Sequence, residues 1–117
     1  PNAYGQRQRI HQNNLQHSVI MEERIFIESK FRLGEIVSTT HLFEHCEKNN
    51  FALLPYLVRH AQGDWGDVCQ EDKKANDQAL KTGERLLSAY TLPDGEKIWI
   101  ITEWDRSVTT MLFPEDY

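Results

Sequence analysis

RLLSAYTLPDGEKIWIITEWDRSVTTMLF, residues 85–113, is the stretch that decides the fold. Three runs in it, 85–92, 97–104 and 107–113, are rich in Ile, Leu, Thr, Tyr and Trp and read as β-strands. Pro93-Asp94-Gly95 joins the first two. Pro and Asp fit a type I turn, and Gly supplies the left-handed residue of a hairpin bulge. Asp105-Arg106 joins the second pair. Strands with such short links pair antiparallel, so the C-terminal half is expected to be a three-stranded meander, with a fourth strand as an option.

Working back from Arg85, the pattern turns helical. Gly83 is a stop signal for a helix that ends near Lys81. Asp67 with Gln70 has capping-box spacing at its start. Pro55 suits the first turn of an earlier helix that carries Tyr56, Leu57, Val58 and Ala61 and ends before Gly63. Ser38-Thr39-Thr40 are N-cap types ahead of Leu42, Phe43 and Cys46, and Asn49-Asn50 close that helix. Phe31, Leu33, Ile36 and Val37 read as an approach to it, and residues 24–29 as a β-prone run. The expected architecture is α+β. Two or three N-terminal helices pack on one face of the C-terminal antiparallel sheet, because each apolar stripe needs a partner layer.

With 117 residues the chain is one domain long, and 39% apolar with 26% charged residues is ordinary globular usage. Residues 1–20 differ. They are rich in Gln, Asn, His and Arg, which favours a flexible arm, and leave 21–117 as the single α+β domain. Of the 13 basic residues, Arg7 and Arg9 lie in the arm, so residues 21–117 set 11 bases against all 18 acids, a formal charge of −7. Such a surface repels phosphate and argues against a nucleic-acid partner. No apolar run approaches the roughly 18 residues of a membrane span, and no charged-then-apolar leader is present. With only Cys46 and Cys69, two free thiols in a reducing, cytoplasmic setting are expected.

The candidate site gathers around the loop Gly63-Asp64-Trp65-Gly66-Asp67. Its glycines permit positive φ and close backbone approach, and Asp64 and Trp65 are candidate binding residues. The competing reading makes Trp65 a lid on the core and Asp67 a helix cap. Strand alternation puts Ser88 and Tyr90 on one face with Leu86 and Leu92, and Arg85 on the other with Leu87 and Ala89. Strand pairing can still gather Arg85, Tyr90, Glu103 and Thr109 near one surface, as donors for a phosphate or carboxylate with Glu103 as a base. Against this stands an ordinary exposed sheet face, where Thr and Tyr are good strand formers. His60, just ahead of the glycine loop, is the third catalytic candidate beside Arg85 and Glu103. His41 and His45 are spaced i, i+4 with Cys46 adjacent, but lack a third ligand, so no metal site is expected. No Walker loop, GxGxxG, GxSxG or CxxC occurs, so no cofactor is expected.

From residue 31 to 117 the chain resembles a set of small uncharacterised bacterial proteins carried on plasmids and other mobile elements. The resemblance rests on Leu33-Gly34, Arg59-His60, the loop 63–67, Asn76, Gly83 and Leu87-Ser88-Ala89-Tyr90. It continues through Trp99-Ile100-Ile101-Thr102-Glu103, Asp105-Arg106-Ser107, Thr109-Thr110, Pro114 and Tyr117. Trp104 departs from it, standing where a small residue is expected. Pro1-Asn2 can be encoded by CCTAAC and Ser18-Val19-Ile20 by AGCGTTATA, strings similar to the two ends of an integron cassette recombination site. The resemblance therefore implies an integron cassette protein, with an inverted repeat expected in the DNA across these codons. It implies no activity. The leading expectation is a non-enzymatic binding protein with an unidentified protein partner. The alternatives are a metal-independent, barnase-like ribonuclease or toxin, and a small-ligand binder that forms a homodimer through the arm or a sheet edge.

Overall fold

The computed structural model describes residues 7–9 and 28–117. The strands are β1 (Arg7–Arg9), β2 (Glu35–Thr39), β3 (Leu86–Thr91), β4 (Lys97–Thr102) and β5 (Val108–Leu112). Between β2 and β3 lie α1 (Thr40–Asn49), α2 (Leu54–Ala61) and α3 (Gln70–Thr82), and a 3-10 turn, Pro114–Asp116, follows β5. The class is α+β, and the helices and meander strands fall where the sequence puts them.

The sheet corrects the expectation in one respect. Its order is β1-β2-β5-β4-β3, with β2 parallel to β5 and the other neighbours antiparallel. It is a mixed sheet, and the helices are not an N-terminal block, since β2 precedes them. A parallel partner requires a long crossover, here three helices and a hairpin, so no local turn announces the pairing. Thr39 ends β2 and also caps α1, its hydroxyl accepting from the Leu42 N–H at 3.3 Å. The cap types at 38–40 therefore hid a strand end. The β-prone run at 24–29 and the arm over 1–20 lie outside the described residues, except for Glu28, Ser29 and Arg7–Arg9.

The helix-facing side of the sheet is the main core. Tyr90, Leu92, Ile98, Ile100, Met111 and Phe113 pack there with Leu42 and Cys46 of α1. Trp65, Ala79 and Leu86 form a second cluster beside it, with Phe31, Val68 and Leu80 against it. The opposite face buries Ile101 and Leu112, with Leu87 and Trp99 packed on them.

β3 is the last strand in the sheet order, and its outward backbone groups are nonetheless paired. Asn76 of α3 donates its amide to the Leu87 carbonyl at 2.7 Å, and its Oδ1 accepts from the Leu87 N–H at 3.1 Å. Two residues on, the Ala89 N–H donates to the Trp65 carbonyl at 3.1 Å and the Ala89 carbonyl accepts from Asp67 N–H at 2.7 Å. One side chain and one loop thus stand in for a neighbouring strand, which blunts an edge open to aggregation. The contact is so close that a Cβ on Gly66, at φ 74°, would overlap the Ala89 carbonyl oxygen. Asp67 does not cap α3. The cap position is Cys69, without a side-chain bond, and the Asp67 carboxylate accepts instead from Thr91 Oγ1 at 2.8 Å.

Asn76→Ala removes both bonds to Leu87 while leaving the helix intact. A loss of roughly 2 kcal/mol in denaturant unfolding is expected for two such bonds, with faster hydrogen exchange at the Leu87 amide. An unchanged midpoint and unchanged protection would contradict this role.

Candidate functional site

His60 sits on the inner face of α2 with Leu57 and Ala61, and its residue exposure is 0%. Helical spacing of i, i+3 and i+4 makes these three one face. Opposite lie Ser88 of β3 and Thr102 of β4, both fully buried. His60 Nδ1 is 2.6 Å from Ser88 Oγ, and Nε2 is 2.9 Å from Thr102 Oγ1. Thr102 Oγ1 is 2.8 Å from Thr109 Oγ1, which donates to the Leu33 carbonyl at 2.6 Å.

The proton positions follow from donor counting, since each hydroxyl carries one hydrogen. A carbonyl only accepts, so Thr109 spends its hydrogen on Leu33. Thr102 must then donate to Thr109, and so accepts from His60 Nε2–H. That leaves Nδ1 as an acceptor, filled by the Ser88 hydroxyl. His60 is thereby the neutral Nε2–H tautomer in a directed chain from Ser88 to Leu33. Burial, with Arg106 nearby as a second cause, pushes its pKa down to about 3. Ser88 and Thr102 were not among the candidates. The signal was present, because alternation places Ser88 on the core face, where a buried hydroxyl needs a partner.

Aromatic rings close this chain from the side. Phe31 meets the His60 ring edge-on at 5.3 Å, and Trp65 does so at 5.7 Å. Trp65 is 3% exposed, stacks on Phe31 and donates its indole N–H to Asp77 at 3.0 Å. Asp64 is exposed. It accepts from Arg59 Nε at 2.7 Å and from Gly66 N–H at 3.2 Å, and the Arg59 bond holds its carboxyl below the usual range. Its backbone carbonyl accepts from the Tyr90 hydroxyl at 2.6 Å. Burial pushes the Tyr90 phenol up to about 12, and the Arg59 guanidinium lies 4.6 Å over its ring.

The candidates therefore divide. His60, Trp65, Tyr90 and Thr109 come together, but inside the protein. Arg85 is exposed on the other side of β3, where it donates to the Tyr117 hydroxyl and lies 5.5 Å over that ring. Glu103 follows Thr102 and is half-buried. His41 and His45 face separate carboxylates, Asp116 at 2.6 Å and Asp94 at 2.7 Å, with the Phe113 ring near both. They fasten α1 to the β3–β4 turn and to the 3-10 turn after β5. Among the described residues no three His, Cys, Asp or Glu side chains are grouped to hold a metal ion. Burial raises the Cys46 thiol to about 11, which keeps it protonated at neutral pH. Among the described residues no helix is long and apolar enough to cross a membrane.

Arg106 is a third residue that sequence reasoning missed, after Ser88 and Thr102. At φ 60° it turns its guanidinium inward, where Nη1 donates to the carbonyls of Glu84 at 2.7 Å, Glu103 at 3.0 Å and Trp104 at 3.4 Å. Nη2 donates to the Ala79 carbonyl at 3.0 Å. One side chain joins the end of α3 to the β4–β5 turn. No protein-family model, curated protein or solved structure matches the chain.

The depressed His60 pKa makes stability depend on pH. Unfolded His60 takes up a proton near pH 6.5 and the folded ring only near pH 3, so its contribution is complete above 6.5 and lost as pH falls towards 3. The stability difference between wild type and His60→Gln is expected to shrink by roughly 2 kcal/mol from pH 7 to pH 5. A constant difference over that range would show that His60 titrates normally.

Proposed function

We propose that this chain is a non-catalytic interaction protein carried on a mobile element. The observation that carries the non-catalytic reading is the sealing of His60. A general acid or base must reach a substrate proton within hydrogen-bond distance, directly or through one water. The best-placed imidazole here is wholly buried, with both nitrogens bonded to hydroxyls of the fold. The other candidates for phosphate chemistry are divided between interior and surface, with Tyr90 and Thr109 buried, Glu103 half-buried and Arg85 on the opposite side of β3. An exposed clamp and a buried imidazole do not act on one phosphodiester.

Interaction is favoured by the surface. The acidic excess of residues 21–117 supplies long-range attraction for a basic partner and repels nucleic acid. The glycine loop, which has the look of a ligand rim in sequence, is occupied with the β3 edge through Trp65 and Asp67. The fold is a braced scaffold that leaves its outer turns for contact.

Two assays test the reading together. RNA incubated with the purified protein in chelator is expected to stay intact, and its cleavage would restore the ribonuclease alternative. Immobilised protein in low-salt host lysate is expected to retain a discrete basic protein that high salt releases. An empty eluate at high protein concentration would remove the interaction reading.

A further inference from the structure

Trp104 is 68% exposed, far more than the two other tryptophans, one buried and one half-buried. Its ring makes no stacking or cation–π contact with another described residue. A solvent-facing indole costs free energy in isolation, yet this one stands on a well-braced turn. The Glu103 N–H donates to the Val108 carbonyl at 3.0 Å, and the Arg106 N–H to the Glu103 carbonyl at 2.9 Å. Asp105 Oδ1 accepts from both the N–H of Ser107 at 3.1 Å and its hydroxyl at 2.6 Å. The Arg106 guanidinium holds the Trp104 carbonyl itself, together with three others.

Exposed acidic residues lie at this turn and beside it. Glu84 and Asp105 are exposed. The carbonyls of Glu84 and Trp104 meet at one nitrogen of Arg106, so the two residues are close neighbours in space. The Ser107 bonds hold the Asp105 carboxyl below the usual range. The positive charge of Arg106 is directed inward on carbonyls, and Arg85 is laid over the Tyr117 ring.

We infer that the β4–β5 turn is a docking surface, with Trp104 as its anchor, for a basic protein segment that offers Arg beside apolar side chains. This rests on the interaction reading above and names its surface. An exposed Trp on a turn that also carries acidic residues suits a guanidinium, which gains from the ring quadrupole and from charge pairing at once. Tryptophan is among the residues that most often dominate binding energy, and a turn already fixed loses little conformational freedom on docking.

The test is an NMR titration with a short peptide of alternating Arg and Leu, and with its Glu-for-Arg counterpart. Loss of one indole signal in Trp104→Phe assigns the resonance. The Arg peptide is expected to shift that indole and the amides of residues 103–107 and 84. Trp104→Ala is expected to keep the wild-type fold and melting temperature and to weaken binding about tenfold or more, while Trp104→Phe keeps part of it. Equal shifts with the Glu peptide, shifts elsewhere on the protein, or undiminished binding by Trp104→Ala would overturn the assignment. Lysate capture separates the two levels. A host protein retained equally by wild type and Trp104→Ala overturns this surface but leaves the interaction reading standing. Nothing retained by wild type overturns the reading and the surface with it.

Discussion

The hydrogen bonds that clasp His60 between Ser88 and Thr102 are the constraint on which the rest of the structure depends. One imidazole on α2 touches β3 and β4, and through Thr102 and Thr109 the same chain reaches β5 and the Leu33 carbonyl. Five segments of the chain are thereby tied together. In a dry interior each of these bonds is strong, and each unmet group would be costly, so the network specifies as well as stabilises. The aromatic rings of Phe31 and Trp65 keep water from competing for it.

Several features with the look of a site are explained by the same economy. The two-glycine loop closes the β3 edge, and Gly66 is required there by contact with the Ala89 carbonyl. Asp64 and Arg59 form a surface pair, with the Arg59 guanidinium over the Tyr90 ring. The two histidines of α1 hold the β3–β4 turn and the segment after β5. The large aromatic residues that remain outward among the described residues are Trp104 and Tyr117. The Trp104 turn is braced by Arg106 and Ser107.

Much of this was legible in the residues. Pro93-Asp94-Gly95 fixed a hairpin, and Gly95 indeed takes φ 91°. Asn50 and Gly83, both left-handed, end α1 and α3 as their types suggest. Alternation already separated Arg85 from Tyr90, and the structure keeps them on opposite sides of β3. What was hidden depends on non-local pairing. β2 is short and its partner lies a long crossover away, so neither periodicity nor turn chemistry reveals it. Arg106 reads as an ordinary turn residue, since its four carbonyl partners come from three places in the chain. His60 showed as an ionisable group near a glycine loop. Its burial became readable only once Leu57 and Ala61 were seen to share its helical face.

The most direct test of this account is nitrogen NMR of the His60 ring across a pH titration. The account predicts a neutral Nε2–H tautomer that persists unchanged well below pH 6.5, with no titration before the acid limb of unfolding. A ring that protonates near pH 6.5, or that carries its hydrogen on Nδ1, would contradict the buried chain and reopen His60 as a working acid or base.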